Sequence, residues 1–496
     1  MPNRYLPPDP GPTIANYCNM GYTLETALAD IIDNSITALA TDISITANTI
    51  EEPFWMSIID NGVGMSPDEL DTALTFSSKH PDVDRDANDL GRFGLGLKTA
   101  SLSQCRRLTV VTRKDNKISS GIWDLDQAEK PGWNWDCPSI DDPGAIVTDT
   151  LRVQIKLLGE SGTLVMWENM VRYEDQDDDP KREELKRQIV QSREHLERTF
   201  HRFITGYHGR LQQVRISVND NPLAEYDPFR ERHTATERYP TDPEEMVPDV
   251  FVQAFTLPHH SMLSDSEWND DGGSATHLDN QGLYIYRANR LLVNGDWLKL
   301  QVEKTSQTQL TRVKIDIPNT MDKKWGVQLH KSTARLPENV RARLNEMVGN
   351  IVGPSKRRYQ RRGTSLASSE VFPVWERVLA EDNINYQINT DNPVVKGFYD
   401  VIDSQARGDF NKMLRFIGEG LPLDNIVHDF SHSPKSLEES SLTDEELCDA
   451  AVVMFSKFRE FTQDDVEKAL DMLRLNPPFK HNWDRTQKLL KEKLGL

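Results

Sequence analysis

The chain has 496 residues, of which 37% are hydrophobic and 27% are charged, and this length predicts two or three domains because one hydrophobic core seldom serves so many residues. The formal net charge of −20 excludes a protein that coats nucleic acid over its whole surface, so any DNA contact needs a local basic patch. Four cysteines without a C-x-x-C pair, and no apolar run of about 18 residues, predict a soluble cytoplasmic protein without a zinc site, a disulfide framework or a membrane span.

The first 175 residues mix helical and strand-like patterns. Apolar residues recur at helical spacing behind Thr23, which predicts a helix over residues 23–39. Ser66 and Pro67 open a second predicted helix, and a third follows Gly94. Together with the predicted strands, these helices indicate an α/β domain that ends near residue 175. The strands are predicted at 43–46, 54–59, 108–112, 151–156 and 163–167, with a polar loop over 76–90.

A second α/β domain is predicted over residues 176–352, because a charged helix at 181–203 is followed by further strand-like segments. The basic run K-R-R-Y-Q-R-R, residues 356–362, begins a predicted linker over residues 353–384. Residues 385–496 are predicted to form a mostly helical C-terminal region. The strand-like segments of the second domain lie at 214–218, 282–286 and 313–317.

Asp30 and Asn34 are four residues apart on the first predicted helix, so both lie on one face. A carboxylate can take a proton from an attacking water, and an amide oxygen is a hard ligand that suits Mg²⁺ shared with phosphates. The same pair also fits the polar face of a surface helix. The spacing alone does not separate these two interpretations.

Asp60 ends a predicted strand and is followed by Gly62 and Gly64 in the sequence D-N-G-V-G. A carboxylate at this point can accept a hydrogen bond from an exocyclic amine, and glycines let a backbone approach a flat ligand closely. A structural β-turn accounts for the same pattern equally well.

A glycine-rich stretch, G-R-F-G-L-G-L-K-T-A-S, covers residues 91–101. Backbone N–H groups at a helix start favour phosphate, and Lys98 adds a positive charge beside them. The stretch does not follow a strand directly and lacks Walker spacing, so neither a P-loop nor a Rossmann fingerprint is satisfied.

Taken in order, these segments resemble the motifs of the GHKL ATPases, the family of gyrase, the heat-shock chaperones, histidine kinases and MutL. The segment A-D-I-I-D-N-S-I-T-A-L-A resembles the N-box, D-N-G-V-G-M the first glycine box, and G-R-F-G-L-G-L-K-T-A-S the second. Gly162-Thr163-Leu164-Val165 is similar to the late G-T element. The order and spacing of four matches over about 140 residues are far more specific than any one of them.

The resemblance implies a Bergerat fold, an α/β sandwich of the α+β class, that binds ATP and Mg²⁺. It implies that Asp60 meets the adenine amine with support from Thr163, that Asn34 holds the metal ion, and that Asp30 is the catalytic base. The loop over residues 76–90 would be the ATP lid. The remaining nucleotide-binding residues that the resemblance implies are Gly62, Gly64, Met65, Lys79, Gly91, Arg92, Phe93, Gly94, Leu95, Gly96, Leu97, Lys98 and Thr99.

Asp30 departs from the family pattern, which usually has Glu at this position. The side chain is one methylene shorter, and general-base geometry is sensitive to small displacements, so slow hydrolysis is expected. Glu25, earlier on the same predicted helix, is an alternative base.

Among the GHKL ATPases, the closer resemblance is to the prokaryotic MORC-like and MutL-like ATPases, and G-L-Y-I-Y-R-A-N-R-L-L, residues 282–292, adds to it. It implies that residues 176–352 are a transducer domain with Lys331 as the candidate lysine that touches ATP, although a solvated loop lysine is an alternative. It also implies an ATP-dependent homodimeric clamp or switch in an antiphage defence or DNA-processing system, with a protein partner encoded nearby. Residues 356–362 are then the candidate DNA contact, with a solvated linker as the alternative.

Two further functions stay open on the sequence. A chaperone-like or scaffold protein would use ATP as a conformational ligand for a protein partner, and the acidic balance favours this option. An ATP-binding pseudoenzyme would follow if the short Asp30 side chain does not support hydrolysis.

Overall fold

A computed structural model describes the chain in two compact units. The first unit comprises Met1–Phe255, Gly282–Val302 and Arg312–Val348, and the second comprises Thr256–Gln281, Glu303–Thr311 and Gly349–Leu496. Among the described residues, no helix has the length and apolar character that crossing a membrane requires. The structure describes residues 9–19, 21–50, 52–76, 90, 96–170, 178–259, 262–264, 267, 277–327, 334–364, 372–380, 383–423, 425–426, 442–476 and 478–495.

The first unit contains a seven-stranded sheet. Its strands are β1 (Asp42–Asn48), β2 (Trp55–Asp60), β3 (Cys105–Lys114), β4 (Lys117–Asp124), β5 (Gly162–Met170), β6 (Arg215–Val218) and β7 (Asn221–Pro222). They lie in the order β4-β3-β5-β2-β1-β6-β7, and all neighbouring pairs are antiparallel except the parallel pair β1 and β6. Strands β6 and β7 therefore join this sheet although they lie beyond residue 175, where the sequence predicts a domain boundary.

Helices pack on both faces of this sheet. They are α1 (Pro10–Cys18), α2 (Leu24–Thr37), α3 (Pro67–Leu74), α4 (Gly96–Leu102), α5 (Leu125–Ala128), α6 (Asp149–Leu157) and α7 (Asp178–Thr205). Because side chains alternate along a strand, Val110 packs into the core that includes α2, α4 and α7, whereas Val111 packs with Leu151 on the face covered by α6. The predicted α/β sandwich is confirmed.

A second sheet, of five strands, is formed by β8 (Glu237–Val247), β9 (Val250–Thr256), β10 (Gly282–Arg287), β11 (Arg290–Asp296) and β12 (Thr311–Ile317). The order is β11-β10-β12-β9-β8, with β10 parallel to β12 and antiparallel to β11. Ala288 and Asn289 connect β10 to β11 with φ angles of 45° and 71°, the left-handed backbone of a tight hairpin turn. Arg287 and Arg290 are therefore direct cross-strand partners.

Beyond the second sheet, helix α8 (Glu338–Thr364) contains one of the sequence boundaries between the two units. The second unit has a hairpin, β13 (Trp375–Ala380) and β14 (Asn383–Ile388). Its helices are α9 (Pro393–Val401), α10 (Ser404–Glu419), α11 (Asp444–Phe461), α12 (Val466–Leu475) and α13 (Trp483–Leu494). A core that includes Leu447, Phe458 and Leu473 joins the last three helices.

Two local predictions differ from the structure. Residues 151–156 were expected as a strand, and this prediction is wrong because they lie in helix α6, whose first turn is capped by the Thr148 side chain accepting from the Leu151 N–H at 3.1 Å. Residues 356–362, expected to open a linker, lie within α8. Lys, Arg and Gln are good helix formers, so a basic run continues a helix readily.

Candidate functional site

Helix α2 carries two of the predicted site residues in contrasting environments. The helix begins with a capping box between Thr23 and Thr26. Asp30 is buried at 2% exposure, and Asp33 is fully buried, whereas Asn34 is exposed. Buried carboxylates do not fit the solvated polar face of a surface helix, because an ion loses its hydration on burial. The helix therefore presents an exposed amide one turn after a buried, partnered carboxylate.

Asp30 is held by a side chain from outside its own helix. The Tyr22 hydroxyl donates to Asp30 Oδ2 at 2.8 Å, and Tyr22 is itself fully buried. Burial, together with the charge of Asp30, raises the pKa of Tyr22 above its usual value of 10, while a hydrogen bond with Thr99 opposes that rise. The phenol therefore stays protonated at neutral pH and acts as a donor.

Gly96, the first described residue of the glycine-rich stretch, lies against the Asp30 carboxylate. A Cβ placed on Gly96 would lie 3.4 Å from Asp30 Oδ2. Helix α4, which starts at Gly96, thus begins against Asp30. The glycine-rich stretch and helix α2 therefore meet at Gly96 and Asp30.

Asp60 ends strand β2 as a buried carboxylate with three protein donors. Its Oδ1 accepts from the N–H groups of Gly62 at 2.9 Å and Thr163 at 3.2 Å, and Ser35 donates to its Oδ2 at 2.9 Å. Burial raises the pKa of Asp60 above its usual value of 3.8, although these three hydrogen bonds oppose the rise. The carboxylate is fixed in orientation at the end of the strand.

The glycines after Asp60 are required by close backbone packing. A Cβ on Gly62 would lie 2.7 Å from the Ala38 carbonyl oxygen. Gly64 has a φ of +67°, and a Cβ there would lie 2.1 Å from the Arg113 carbonyl oxygen. The D-N-G-V-G turn can therefore press against α2 and β3 only with glycine at both positions.

Thr163 lies beside Asp60 across the strand pair β2 and β5, where the two residues are in register. Its hydroxyl lies 3.2 Å from that of Thr112, which also accepts from the Met65 N–H at 2.9 Å. Residues from four separate segments thus converge around one buried carboxylate.

The sequence of this region matches a known family. Residues 22–150 match the family of histidine kinase-, DNA gyrase B-, and HSP90-like ATPases. The amino-terminal part of the chain is a GHKL-type ATPase domain. Asp60, Gly62 and Gly64 all lie inside the matched segment, whereas Thr163 lies just beyond it.

Part of the chain is also similar to MORC proteins. The chain is 35% identical over 96 residues to "ATPase MORC2B" of Mus musculus, a match that covers 19% of this chain and 9% of the relative. It is 28% identical over 148 residues to "ATPase morc-1" of Caenorhabditis elegans, covering 28% of this chain and 17% of the relative. "MORC family CW-type zinc finger protein 1" of Mus musculus is 28% identical over 109 residues, covering 21% and 11%. The chain thus spans less than a fifth of each of these three relatives.

Lys98 in the ATPase domain has a structural environment that its sequence position does not suggest. Its amine donates to the carbonyl oxygens of Ala73 at 2.6 Å and Thr75 at 2.9 Å, at the end of helix α3. Burial lowers the pKa of Lys98 to about 8. In this arrangement, Lys98 satisfies the last carbonyls of α3, and its role toward phosphate stays a prediction.

The other predicted residues of the glycine-rich stretch divide into two groups. Thr99 is fully buried, and Leu97 packs against the main core. The remaining predicted residues fall outside the described part of the chain, namely Lys79, Gly91, Arg92, Phe93, Gly94, Leu95 and Lys331.

Three residues that contact the site were not predicted from the sequence. Tyr22 holds Asp30, Ser35 holds Asp60, and Thr112 lies against Thr163. Ser35 could have been found, since it directly follows Asn34 and falls on a buried face of α2. Tyr22 and Thr112 give no local signal, because their partners lie on other elements.

Proposed function

We propose that the protein is a magnesium-dependent ATPase in which Asp30 is the general base. The observation that carries this proposal is the buried Asp30 carboxylate, which Tyr22 orients one helical turn before the exposed Asn34. A general base needs a fixed orientation toward the attacking water, and a metal ligand needs access to the bound nucleotide. Asp30 and Asn34 meet these two needs from one helix.

In the proposed reaction, a water oxygen forms a bond to the γ-phosphorus while Asp30 takes the water proton. The bond between the γ-phosphorus and the oxygen that bridges to the β-phosphate breaks, and ADP and phosphate leave. Mg²⁺ supplies neutralisation of the phosphate charge when it is bound. The amide oxygen of Asn34 is the hard ligand that the domain offers to it.

Asp60 is the proposed adenine contact of the same site. Its carboxylate already accepts from Gly62, Thr163 and Ser35, and a carboxylate has about four acceptor positions. One exocyclic amine of adenine fits the remaining capacity. The support is the donor set and the match to the ATPase family.

Helix geometry distinguishes the two candidate bases on α2, Asp30 and Glu25. Glu25 lies nine positions before Asn34, which is about half a turn around the helix axis. Its charge faces His195 on α7, and burial lowers the pKa of that histidine to about 4 against the opposing effect of Glu25. Asp30, close to the angular position of Asn34, is therefore the preferred base.

Phosphate release in the presence of Mg²⁺ and ATP tests the enzymatic proposal. We expect Asp30→Asn to lose at least about 100-fold in kcat while keeping ATP affinity, and Asn34→Ala to lose Mg-dependent binding. Glu25→Gln is the matched control and keeps the parent rate. Hydrolysis by Asp30→Asn at the parent rate would rule out Asp30 as the base, and binding without any release by the parent protein would favour the scaffold or pseudoenzyme alternative.

We further propose that ATP pairs two copies into a clamp or switch that acts in an antiphage defence or DNA-processing system. The support is the similarity of part of the chain to two MORC ATPases. Light scattering after gel filtration should give twice the monomer mass with a non-hydrolysable ATP analogue and the monomer mass with ADP. Equal masses in both states would contradict the clamp.

A further inference from the structure

The β10–β11 hairpin brings two buried arginines to the ATPase domain. Arg287 ends β10 and Arg290 begins β11, and both side chains are 1–2% exposed. An arginine cannot lose its charge by deprotonation, so burial of each guanidinium requires compensating partners. The identity of those partners indicates what the hairpin does.

Arg287 makes a complete fork with a carboxylate and uses its remaining nitrogen elsewhere. Its Nε lies 2.6 Å from Asp322 Oδ1, and its Nη2 lies 2.8 Å from Asp322 Oδ2. Its Nη1 donates to the Leu90 carbonyl oxygen at 3.0 Å. The bidentate pair fixes the plane of the guanidinium, and that plane fixes where the Leu90 carbonyl must lie.

Leu90 is also hydrogen-bonded to helix α2. Its N–H donates to the Thr37 hydroxyl at 3.4 Å, at the end of α2, and its side chain is buried. Leu90 directly precedes Gly91, the first residue of the glycine-rich stretch. One residue thus joins α2, the second sheet and the start of that stretch.

Arg290 reaches the ATPase domain independently. Its Nε lies 2.9 Å from Asp33, the fully buried carboxylate between Asp30 and Asn34 on α2. The hairpin therefore contacts the helix that carries the proposed base and metal ligand, as well as the residue that precedes the glycine-rich stretch.

Asp322 is the carboxylate that holds the Arg287 guanidinium. It lies between β12 and α8, and the buried Trp325 and Val327 follow it. The Arg–carboxylate fork joins residues 35 positions apart and makes the position of each depend on the other.

We propose that Arg287 is a positioning residue that couples the nucleotide site to the second sheet through Leu90 and Asp322. The inference rests on the proposed binding of ATP and Mg²⁺ at helix α2. Nucleotide that restrains α2 also restrains Leu90, whose N–H donates to the Thr37 hydroxyl at the end of that helix, and so holds the Leu90 carbonyl on Arg287. By reciprocity, the fork raises nucleotide affinity. Lysine in place of Arg287 keeps the charge but cannot make the fork and the third hydrogen bond together.

Hydrogen exchange with a non-hydrolysable ATP analogue measures this coupling directly. In the parent protein, the analogue should slow exchange in peptides that cover residues 311–327 as well as in the ATPase domain. In Arg287→Lys at saturating analogue, slowing should persist in the ATPase domain and be lost over residues 311–327. The dissociation constant for the analogue should rise about tenfold.

Arg202→Lys is the matched control. Arg202 is a buried arginine of α7 that pairs with Asp316 in β12 and does not contact Leu90. The variant therefore removes a similar fork to the same sheet and leaves the Leu90 contact in place. This variant should keep both the affinity and the nucleotide-dependent slowing. Asp322→Asn, which weakens the fork from its other side, should reproduce the Arg287→Lys result.

The outcomes separate this inference from the proposed function. Undiminished slowing over residues 311–327 in Arg287→Lys overturns the coupling role. The coupling role is also overturned if, in the parent protein, the analogue slows exchange in the ATPase domain but not over residues 311–327. Parent protein that does not bind the analogue at all removes the proposed function, and the inference with it.

Discussion

The hydroxyl of Tyr22 donates to Oδ2 of Asp30 at 2.8 Å, and both side chains are buried in the ATPase domain. Tyr22 precedes the cap of helix α2, whereas Asp30 lies in its middle, so the bond ties the start of the helix to the proposed base. A carboxylate one methylene shorter than glutamate has a smaller reach. In the proposed mechanism, Tyr22 fixes the orientation of this shorter side chain.

Tyr22→Phe should therefore lower the rate of hydrolysis more than it lowers nucleotide affinity. The variant removes one hydrogen bond to a charged group, and we expect a loss of about tenfold in kcat. KM should change little, because Tyr22 has no proposed contact with ATP. Steady-state phosphate release over a range of ATP concentrations separates the two parameters.

Tyr226→Phe serves as the control, since Tyr226 is a partly buried tyrosine of the first unit whose hydrogen-bond partner is Tyr284 in the second sheet. Equal losses of kcat in the two variants would mean that Tyr22 acts only through general stability.

Asp60→Asn should weaken ATP binding and abolish the fall in ATP affinity at acidic pH. Burial raises the pKa of Asp60 above 3.8, so the parent carboxylate takes up a proton at a higher pH than an exposed aspartate. A protonated carboxyl loses acceptor capacity. Affinity in the parent protein should be complete above the raised pKa and fall as pH drops through it.

Calorimetric titrations with ATP from neutral to acidic pH measure this effect. Asp60→Asn should bind at least about tenfold more weakly at neutral pH. Asp71→Asn changes an exposed carboxylate of α3 and should leave both the affinity and its pH profile unchanged. A flat pH profile in the parent protein would contradict a role for the Asp60 carboxylate in binding.

How much of this site the sequence predicts differs from residue to residue. Helix α2 was predicted because its apolar residues follow a helical period behind Thr23, and both signals are local. The pairing of Asp60 with Thr163 joins residues 103 positions apart. No local pattern contains that contact, and it was implied only by the resemblance to the ATPase family.

Residues 151–156 show why one local prediction failed. They alternate in polarity like a strand, but the Thr148 cap and the burial of Leu151 and Gln154 select a helix. Lys98 stands beside glycines in the sequence, and its amine donates to the carbonyl oxygens of Ala73 and Thr75 at the end of α3. No local pattern contains that contact, and a role of Lys98 toward phosphate stays a prediction.

Gly64→Ala should destabilise the protein far more than Gly132→Ala. Both glycines have positive φ, +67° and +85°, so alanine is strained at either position. A Cβ at Gly64 would lie 2.1 Å from the Arg113 carbonyl oxygen, whereas at Gly132 nothing lies within 4 Å. We expect a loss in free energy of unfolding of about 1 kcal/mol for Gly132→Ala and about 3 kcal/mol or more for Gly64→Ala.

Thermal unfolding of the two variants in parallel isolates the steric contribution, since backbone strain is common to both. Nucleotide affinity should be lost with Gly64→Ala and kept with Gly132→Ala, because Gly64 lies in the turn that follows Asp60. Similar melting temperatures for the two variants would show that the turn can open without cost.

The basic run at residues 356–362 provides a test of the proposed DNA contact. It holds five Lys and Arg residues in seven positions of α8, in a chain whose net charge is −20. If two copies surround a duplex, neutralised phosphates release counterions, and the logarithm of the binding constant falls with the logarithm of the salt concentration by about 0.9 per phosphate. Replacing Arg357, Arg358, Arg361 and Arg362 with Gln should reduce that slope by up to about 4.

DNA binding is measured by fluorescence anisotropy with a non-hydrolysable ATP analogue at several salt concentrations. The control replaces Lys488, Lys491 and Lys493 of α13 with Gln, which also removes positive charge from a helix of the second unit. Because phosphate contacts act locally, this control should keep the parent slope. If the slope falls equally in both variants, the effect is due to total charge. A binding constant that does not change with salt concentration would contradict the proposed DNA contact.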